Sequence, residues 1–226
     1  VAGTLVGASS GGVTICGSST ARTLTGTLTA INAYIAAGNL RYNPLLNSNA
    51  DATLSLSMDT GSVATAQRDV TISITPVNDA PTISGPISIT VTEDTSRTLT
   101  GITFGDVDAG TGSVTVTFSV ASGTFTGSAS TGVTITGTGT GTIVLDGTLA
   151  DINSMISSGR LSYLGAQDNT TQQNLSISIN DNGNTGGAAQ TTNAIITFQF
   201  TAVNDAPVNN MPAQQTVFQD GSLVFN

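Results

Sequence analysis

Few residues of this chain can do chemistry, and those that can are carboxylates and side-chain amides in short loops. VNDAP stands at residues 77–81 and again at 203–207, with GDVDAG at 105–110 and INDNG at 179–183 between the copies. Asp106 and Asp108 have the D-x-D spacing that lets alternate residues of one loop face a single ion. Oxygen-only sets of this kind suit hard cations that take roughly six to eight ligands, calcium above all. Asp, Asn and Gly are also ordinary turn residues, so each loop taken alone reads as a turn more readily than as a ligand, and it is their concentration that points to a metal.

Other chemistries fall away by composition. The chain has no His, no Trp and a single Cys, so neither a Ser-His-Asp or Cys-His site nor a His or multi-Cys zinc site can be assembled. Cys16, in the alternating run GVTIC, stands where Thr136 stands in a later repeat and reads as a structural residue rather than a reactive thiol. It has no second Cys for an internal disulfide. No catalytic residue set emerges, and the expectation is a protein that is not an enzyme.

The 226 residues are enough for one or two domains, and 38% of them are hydrophobic while only 8% are charged. Thr, Ser, Gly and Asn fill the surface instead. Five arginines and no lysine stand against thirteen Asp and one Glu, for a net charge of −9. Such a field disfavours nucleic acid and anionic membrane as partners. No run approaches the roughly 18 apolar residues of a membrane helix, and no basic-then-apolar signal opens the sequence, so no membrane insertion is expected.

These loops must be positioned by the elements around them, and those elements recur. Residues 24–42, LTGTLTAINAYIAAGNLRY, match 145–163, LDGTLADINSMISSGRLSY, at ten of nineteen positions. The shared residues run from Leu24, Gly26 and Thr27 through Ile31, Asn32 and Ile35 to Gly38, Leu40 and Tyr42. GVTI recurs at 12–15 and 132–135, and TLSLSMDTG (53–61) matches NLSISINDNG (174–183) with one inserted residue. Most of each unit alternates apolar and polar with period two, as Ile87, Ile89, Val91 and Leu175, Ile177, Ile179 do, which predicts half-buried strands in an antiparallel sandwich. The exception is TLTAINAYIAAG with its partner TLADINSMISSG. Its helical spacing and closing Gly predict one short helix per unit, crossing between sheets.

Strand direction then assigns the acidic loops to poles. The strand from Ile87 to Val91 delivers Glu93 and Asp94 to the pole far from residue 79. A returning strand from Thr98 to Phe104 brings Asp106 and Asp108 back beside Asp79, and the strand ending at Ile179 adds Asp181. The strand from Ile195 to Phe200 runs away into the second VNDAP. Asp79, Asp106, Asp108 and Asp181 are thus expected to converge within a few ångströms, with Asn78 offering an amide oxygen or a backbone contact. Carboxylates so placed repel unless a cation neutralises them, and calcium is the simplest resolution.

The ordered set VNDAP, TVTEDTSRTLTG, FGDVDAG, GTLADIN, ISINDNG and a closing strand into VNDAP resembles the tandem cadherin-like repeats of giant bacterial surface adhesins. The resemblance implies all-β, tandem Ig/cadherin-like antiparallel β-sandwiches, each with one short helix. It divides the chain into a partial repeat lacking its first strands (1–78), a complete repeat (79–204) and the first strands of a third (205–226), as if cut from a longer array. It implies one calcium site of Asn78, Asp79, Asp106, Asp108 and Asp181, and the beginning of a second from Glu93, Asp94, Asn204 and Asp205. In the third unit QDG (219–221) replaces EDT (93–95), so a carboxylate is missing there.

The function so implied is an extracellular, cell-surface spacer of a long repeat adhesin. Its linkers stiffen with calcium, its partners are neighbouring repeats, and it supports cell adhesion or biofilm formation. The alternative is a subunit of a surface filament or surface layer, a homo-polymer in which the strand-like tail TVFQDGSLVFN (216–226) completes the next subunit's open sheet by strand addition. A carbohydrate-binding module lacks its aromatic platform, since aromatics are 4%. Asn169-Thr170-Thr171 fits a glycosylation sequon, which a Thr-rich chain produces easily.

Overall fold

Alternating apolar residues draw much of this chain into strands, and among the described residues two stretches form helices. The computed structural model describes residues 3–63, 66–209 and 214–223, and all that follows concerns these. The first half contains β1 (Gly3–Val6), β2 (Thr14–Ser18), β3 (Ala21–Thr25), α1 (Leu28–Ala36), β4 (Arg41–Pro44), β5 (Ala52–Leu56) and β6 (Arg68–Ile72). The second begins with β7 (Thr82–Ser84), β8 (Ser88–Thr92), β9 (Arg97–Thr98), β10 (Thr103–Gly105), β11 (Ser113–Ser119), β12 (Thr124–Gly127) and β13 (Val133–Thr136). It continues with β14 (Thr142–Thr148), α2 (Leu149–Ser157), β15 (Leu161–Leu164), β16 (Gln173–Asn180) and β17 (Thr191–Thr201). The protein is all-β with two short helices.

In the second half, one six-stranded sheet runs β13-β14-β11-β16-β17-β8 and a three-stranded sheet runs β12-β15-β9. Helix α2 leaves β14 of the first sheet and feeds β15 of the second. It is opened by Thr148, whose side chain accepts from the Asp151 N–H, an N-cap that satisfies one of the donors every helix start leaves over. Both sheets contribute to a single core. Val114, Val116 and Phe118 of β11 have no exposed surface, and neither do Phe125, Leu145, Tyr163, Leu175 and Phe198. Five rings run through it, Phe104, Phe118, Phe125, Tyr163 and Phe198, with successive centroids 6.2, 6.3, 5.5 and 4.5 Å apart. The buried Tyr163 hydroxyl donates to Ser122 O at 2.8 Å and accepts from the Gln173 amide.

Three expectations are corrected. A wholly antiparallel sheet was expected, but β8 pairs parallel with β17, Thr92 opposite Thr201. A parallel pair needs a long crossover, and here almost the whole unit lies between the two strands and supplies it. The strand expected from Thr98 to Phe104 is divided between β9, which pairs with β15, and β10, which pairs with β7. Gly101 breaks it with a φ of +77°. Ile87, expected to alternate inward, precedes its strand and is exposed.

The first half follows the same plan without its centre. β1 pairs β4 with Leu5 opposite Tyr42, as β12 pairs β15 with Phe125 opposite Tyr163. Hairpins β2-β3 and β5-β6 stand where β13-β14 and β16-β17 stand, and α1 is capped by Thr27 as α2 is by Thr148. Yet the two hairpins form separate two-stranded sheets, because no described strand occupies the place of β11. Leu56 is consequently 46% exposed, whereas Ile177 in the same repeat position is 1% exposed. No strand forms after Thr201, where the opening strands of a third repeat were expected. Residues 210–213 and 224–226 of that stretch lie outside the described residues, and those described have no neighbouring strand to pair with.

These environments separate two truncations of like chemistry. Ile177→Ala is expected to destabilise the protein by about 2–5 kcal/mol, and Leu56→Ala by about 1 kcal/mol or less, in urea unfolding followed by circular dichroism.

Candidate functional site

The first linker is held by hydrogen bonds from both sides. The Asn78 amide donates to Asp181 Oδ2 at 2.6 Å and to Ala188 O at 3.0 Å, while the Gln190 amide donates to Asn78 O. On the other side the Asp79 N–H donates to Asp108 Oδ2 at 2.6 Å. Thr82 Oγ1 then donates to Gly105 O at 3.0 Å, and Thr192 Oγ1 to Pro81 O at 2.6 Å, which carries the linker into β7. The loop after β16 can close over the linker only because residue 186 is glycine. A Cβ there would stand 2.8 Å from the backbone of Pro76 and Val77.

Asp106 and Asp108 sit at the end of β10, which α2 fixes in place. The Asn153 amide grips β10 through both backbone groups of Phe104, accepting from its N–H at 2.9 Å and donating to its C=O at 2.8 Å. Asp106 Oδ1 accepts from the Asp108 and Ala109 N–H groups at 2.7 and 3.0 Å, a turn that holds the loop from which Asp108 reaches the linker.

Asp181 is 1% exposed, and every described partner of its carboxylate is a donor. Burial works to raise its pKa, but the Gly183 and Gln190 N–H groups, at 2.9 and 2.7 Å, and the Asn78 amide outweigh it and hold the carboxyl below its ordinary value. Asn78, Asp79, Asp106, Asp108 and Asp181 are thus gathered at one linker. The expected mutual approach of four carboxylates to a few ångströms is not what the structure has there, because backbone and amide donors stand between them. Two oxygens facing no partner remain, Asn78 Oδ1 and Asp106 Oδ2, both buried.

The second linker is arranged differently. Parallel pairing of β8 with β17 brings Glu93 beside Val203, whose N–H donates to Glu93 Oε1, while Glu93 N–H donates to Thr201 O at 3.1 Å. Glu93 is 3% exposed and its Oε2 has no partner. Asp94 and Asp205 are exposed and meet a third carboxylate, Asp168, with oxygens all within 4.8 Å of one another. Asn204 is exposed and its amide donates only to Asp205 O, at 3.4 Å. Sequence reasoning missed Asp168, which lies five residues past the matched segment ending at Tyr163. Nothing in the sequence marked it; the structure shows that it and its counterpart Asn47 share the rare left-handed backbone, at φ +54° and +57°. Asp94 and Asp220, at φ +58° and +63°, form another such pair.

No protein-family profile matches the chain, and neither does any curated protein. Among solved structures, two endo-fucoidan hydrolases of glycoside hydrolase family 107 resemble it weakly. One is 15% identical over 89% of this chain and 24% of its own length, with a TM-score of 0.26. The other is 14% identical over 87% of this chain and 27% of its own length, with a TM-score of 0.22. The chain spans about a quarter of those proteins, and likeness at this level carries no argument about fold or activity.

Because Asp181 has a lowered folded-state pKa, its contribution to stability is complete above the ordinary value of 3.8 and drains away as pH falls through the folded value. The urea midpoint is expected to drop between pH 7 and about pH 3. In Asp181→Asn the midpoint at pH 7 should already be lower and its acid loss smaller.

Proposed function

We propose that this chain is a segment of a long extracellular repeat protein of the cadherin-like kind, built of tandem β-sandwiches, in which calcium at each linker converts a hinge into a stiff joint. It acts as a spacer that holds an adhesive part away from the cell surface, in support of cell adhesion or biofilm formation. The role is mechanical, with no catalytic step.

One observation carries the reading. Among the described residues, four buried side-chain oxygens lack a hydrogen-bond partner, and three of them, Asn78 Oδ1, Glu93 Oε2 and Asp106 Oδ2, belong to residues expected to bind calcium. A buried acceptor without a partner costs about 1–3 kcal/mol, so three at two linkers point to something that should fill them. The unpartnered atoms are carboxylate and amide oxygens, the donor type a hard cation takes. At the first linker Asn78, Asp79, Asp106 and Asp108 would hold the ion, with Asp181 orienting the Asn78 amide. At the second, Glu93, Asp94, Asp168 and Asp205 would begin a site.

The mechanism of stiffening follows from Coulomb repulsion and from repeat geometry. Without a cation, Asp94, Asp168 and Asp205 push the linker away from the loops that carry them. A divalent ion reverses that sign and ties linker to loops. In a linear array each unit touches only its neighbours, so the stiffness of the whole resides in these joints. Extracellular sites of this type bind at about 10⁻⁴ to 10⁻³ M, so stiffening would follow export.

The test is a thermal melt of the full chain in excess EDTA and in about 5 mM calcium. A rise in melting temperature of several degrees is expected, reduced by Asp106→Asn with Asp108→Asn and, separately, by Asp168→Asn. Equal melting curves, together with scattering profiles equally extended in both buffers, overturn the reading.

A further inference from the structure

The loop after β16 opens with INDNG, and its Asn182-Gly183 step is the single Asn-Gly pair of the whole sequence. Neither residue belongs to the oxygen sets of the linkers. We infer that this step is a self-modification site held shut by the fold: it loses ammonia through a cyclic imide only while the loop is open, and its product unfastens the loop from β11.

The chemistry needs nothing beyond the chain and water. The Gly183 backbone nitrogen gives its proton to solvent and attacks Asn182 Cγ; a C–N bond forms, and the side-chain Nδ2 takes up a proton and leaves as ammonia. Water then opens the five-membered imide at one carbonyl or the other, leaving aspartate or isoaspartate at position 182. Glycine at the attacking position favours ring closure, because no Cβ stands in the way.

The structure withholds both reacting groups. Asn182 is exposed, so exclusion of water is not what protects it. The Gly183 N–H donates to Asp181 Oδ1 at 2.9 Å, and that buried carboxylate opposes negative charge on the nitrogen beside it. The Asn182 amide, the leaving group, donates to Ser113 O at 3.1 Å and to Thr115 Oγ1 at 3.4 Å. Asp181 Oδ1 also accepts from the Gln190 N–H at 2.7 Å, so one carboxylate closes both ends of the loop. The first half has this turn too, with Asp59 Oδ1 accepting from the Gly61 N–H at 2.7 Å, but Thr60 stands between them. The turn therefore does not need asparagine, and the reactive step belongs to the second half alone.

Reaction undoes the clasp. A carboxylate at position 182 donates nothing to Ser113 O, and the Thr115 hydroxyl already gives its hydrogen to Asp146 Oδ1 at 2.6 Å. Isoaspartate also adds a carbon to the backbone ahead of Gly183 and displaces that N–H from Asp181. The Asn184 amide donates to Ser113 O at 2.8 Å and Thr185 Oγ1 to Asp108 O at 3.0 Å, so the same loop ties β11 to the acidic turn of the first linker. Loosening at Asn182 thus reaches that linker, with or without a cation there.

The test follows the full chain and, as the open reference, a synthetic peptide spanning Ser178–Gly187, both in mildly alkaline buffer with EDTA. Mass spectrometry of proteolytic fragments reads the gain from amide to acid, and isoaspartyl methyltransferase labelling reads the isoaspartate. Asn182 in the folded chain should react at least on the order of tenfold more slowly than in the peptide, by a ratio that matches the hydrogen-exchange protection of the Gly183 amide. Asp181→Ala should bring the rate towards that of the peptide. In the unaltered chain, urea below the unfolding transition should raise it in step with Gly183 exchange. Asn182→Asp should speed amide exchange across residues 183–190 on the order of tenfold while β14 and α2 stay protected. Equal rates in chain and peptide overturn the inference, as does a slow rate that ignores the opening of the Gly183 amide. Exchange in Asn182→Asp that matches the unaltered chain overturns it as well.

Discussion

The core of the second half is built around a single central strand. β11 closes two hairpins into one six-stranded sheet, and its three inward residues, Val114, Val116 and Phe118, are wholly buried. Phe118 lies between Phe104 and Phe125 in the chain of rings that continues through Tyr163 to Phe198. The same hairpins without that strand remain two separate ribbons, because two strands alone bury one another's backbone edges on one side and cover little apolar surface.

Nearly identical residues accordingly play unequal parts in the two halves. Asn153 grips β10 by both backbone groups of Phe104, while Asn32, its counterpart, is exposed because no described strand stands where β10 would be. Tyr163 has Ser122 O for its hydroxyl; the Tyr42 hydroxyl is buried without a partner, and the position equivalent to Ser122 is residue 2, outside the described residues. The helix caps, by contrast, are alike in both, since an N-cap needs only residues within one turn.

The linkers combine two electrostatic devices of opposite effect. Asp181 is a buried carboxylate fully supplied with internal donors, and it locks Asn78 and the loop around it without an ion. Asp94, Asp168 and Asp205 are exposed carboxylates with oxygens within 4.8 Å of one another, so their like charges repel. In the proposed function the first device fixes where the linker enters its domain, and the second makes the angle at the joint depend on calcium.

Period-two alternation, repeated caps and turn residues were enough to reveal the all-β class, both helices and the assignment of acidic loops to opposite linkers, because each depends on spacing along the chain. Strand parity predicted that Asp79, Asp106, Asp108 and Asp181 meet at one linker, but the strand it relied on is divided and the four carboxylates do not approach to a few ångströms. Tertiary structure decided what spacing cannot express. The parallel pairing of β8 with β17 joins segments more than a hundred residues apart and so leaves no local trace. The break at Gly101 shares one apparent strand between two sheets. Asp168 reaches Asp94 and Asp205 from a loop whose sequence names no partner. Which buried oxygens hold donors and which are left open is likewise a matter of packing, since an amide or carboxylate is the same residue in sequence whether its lone pairs are taken or not.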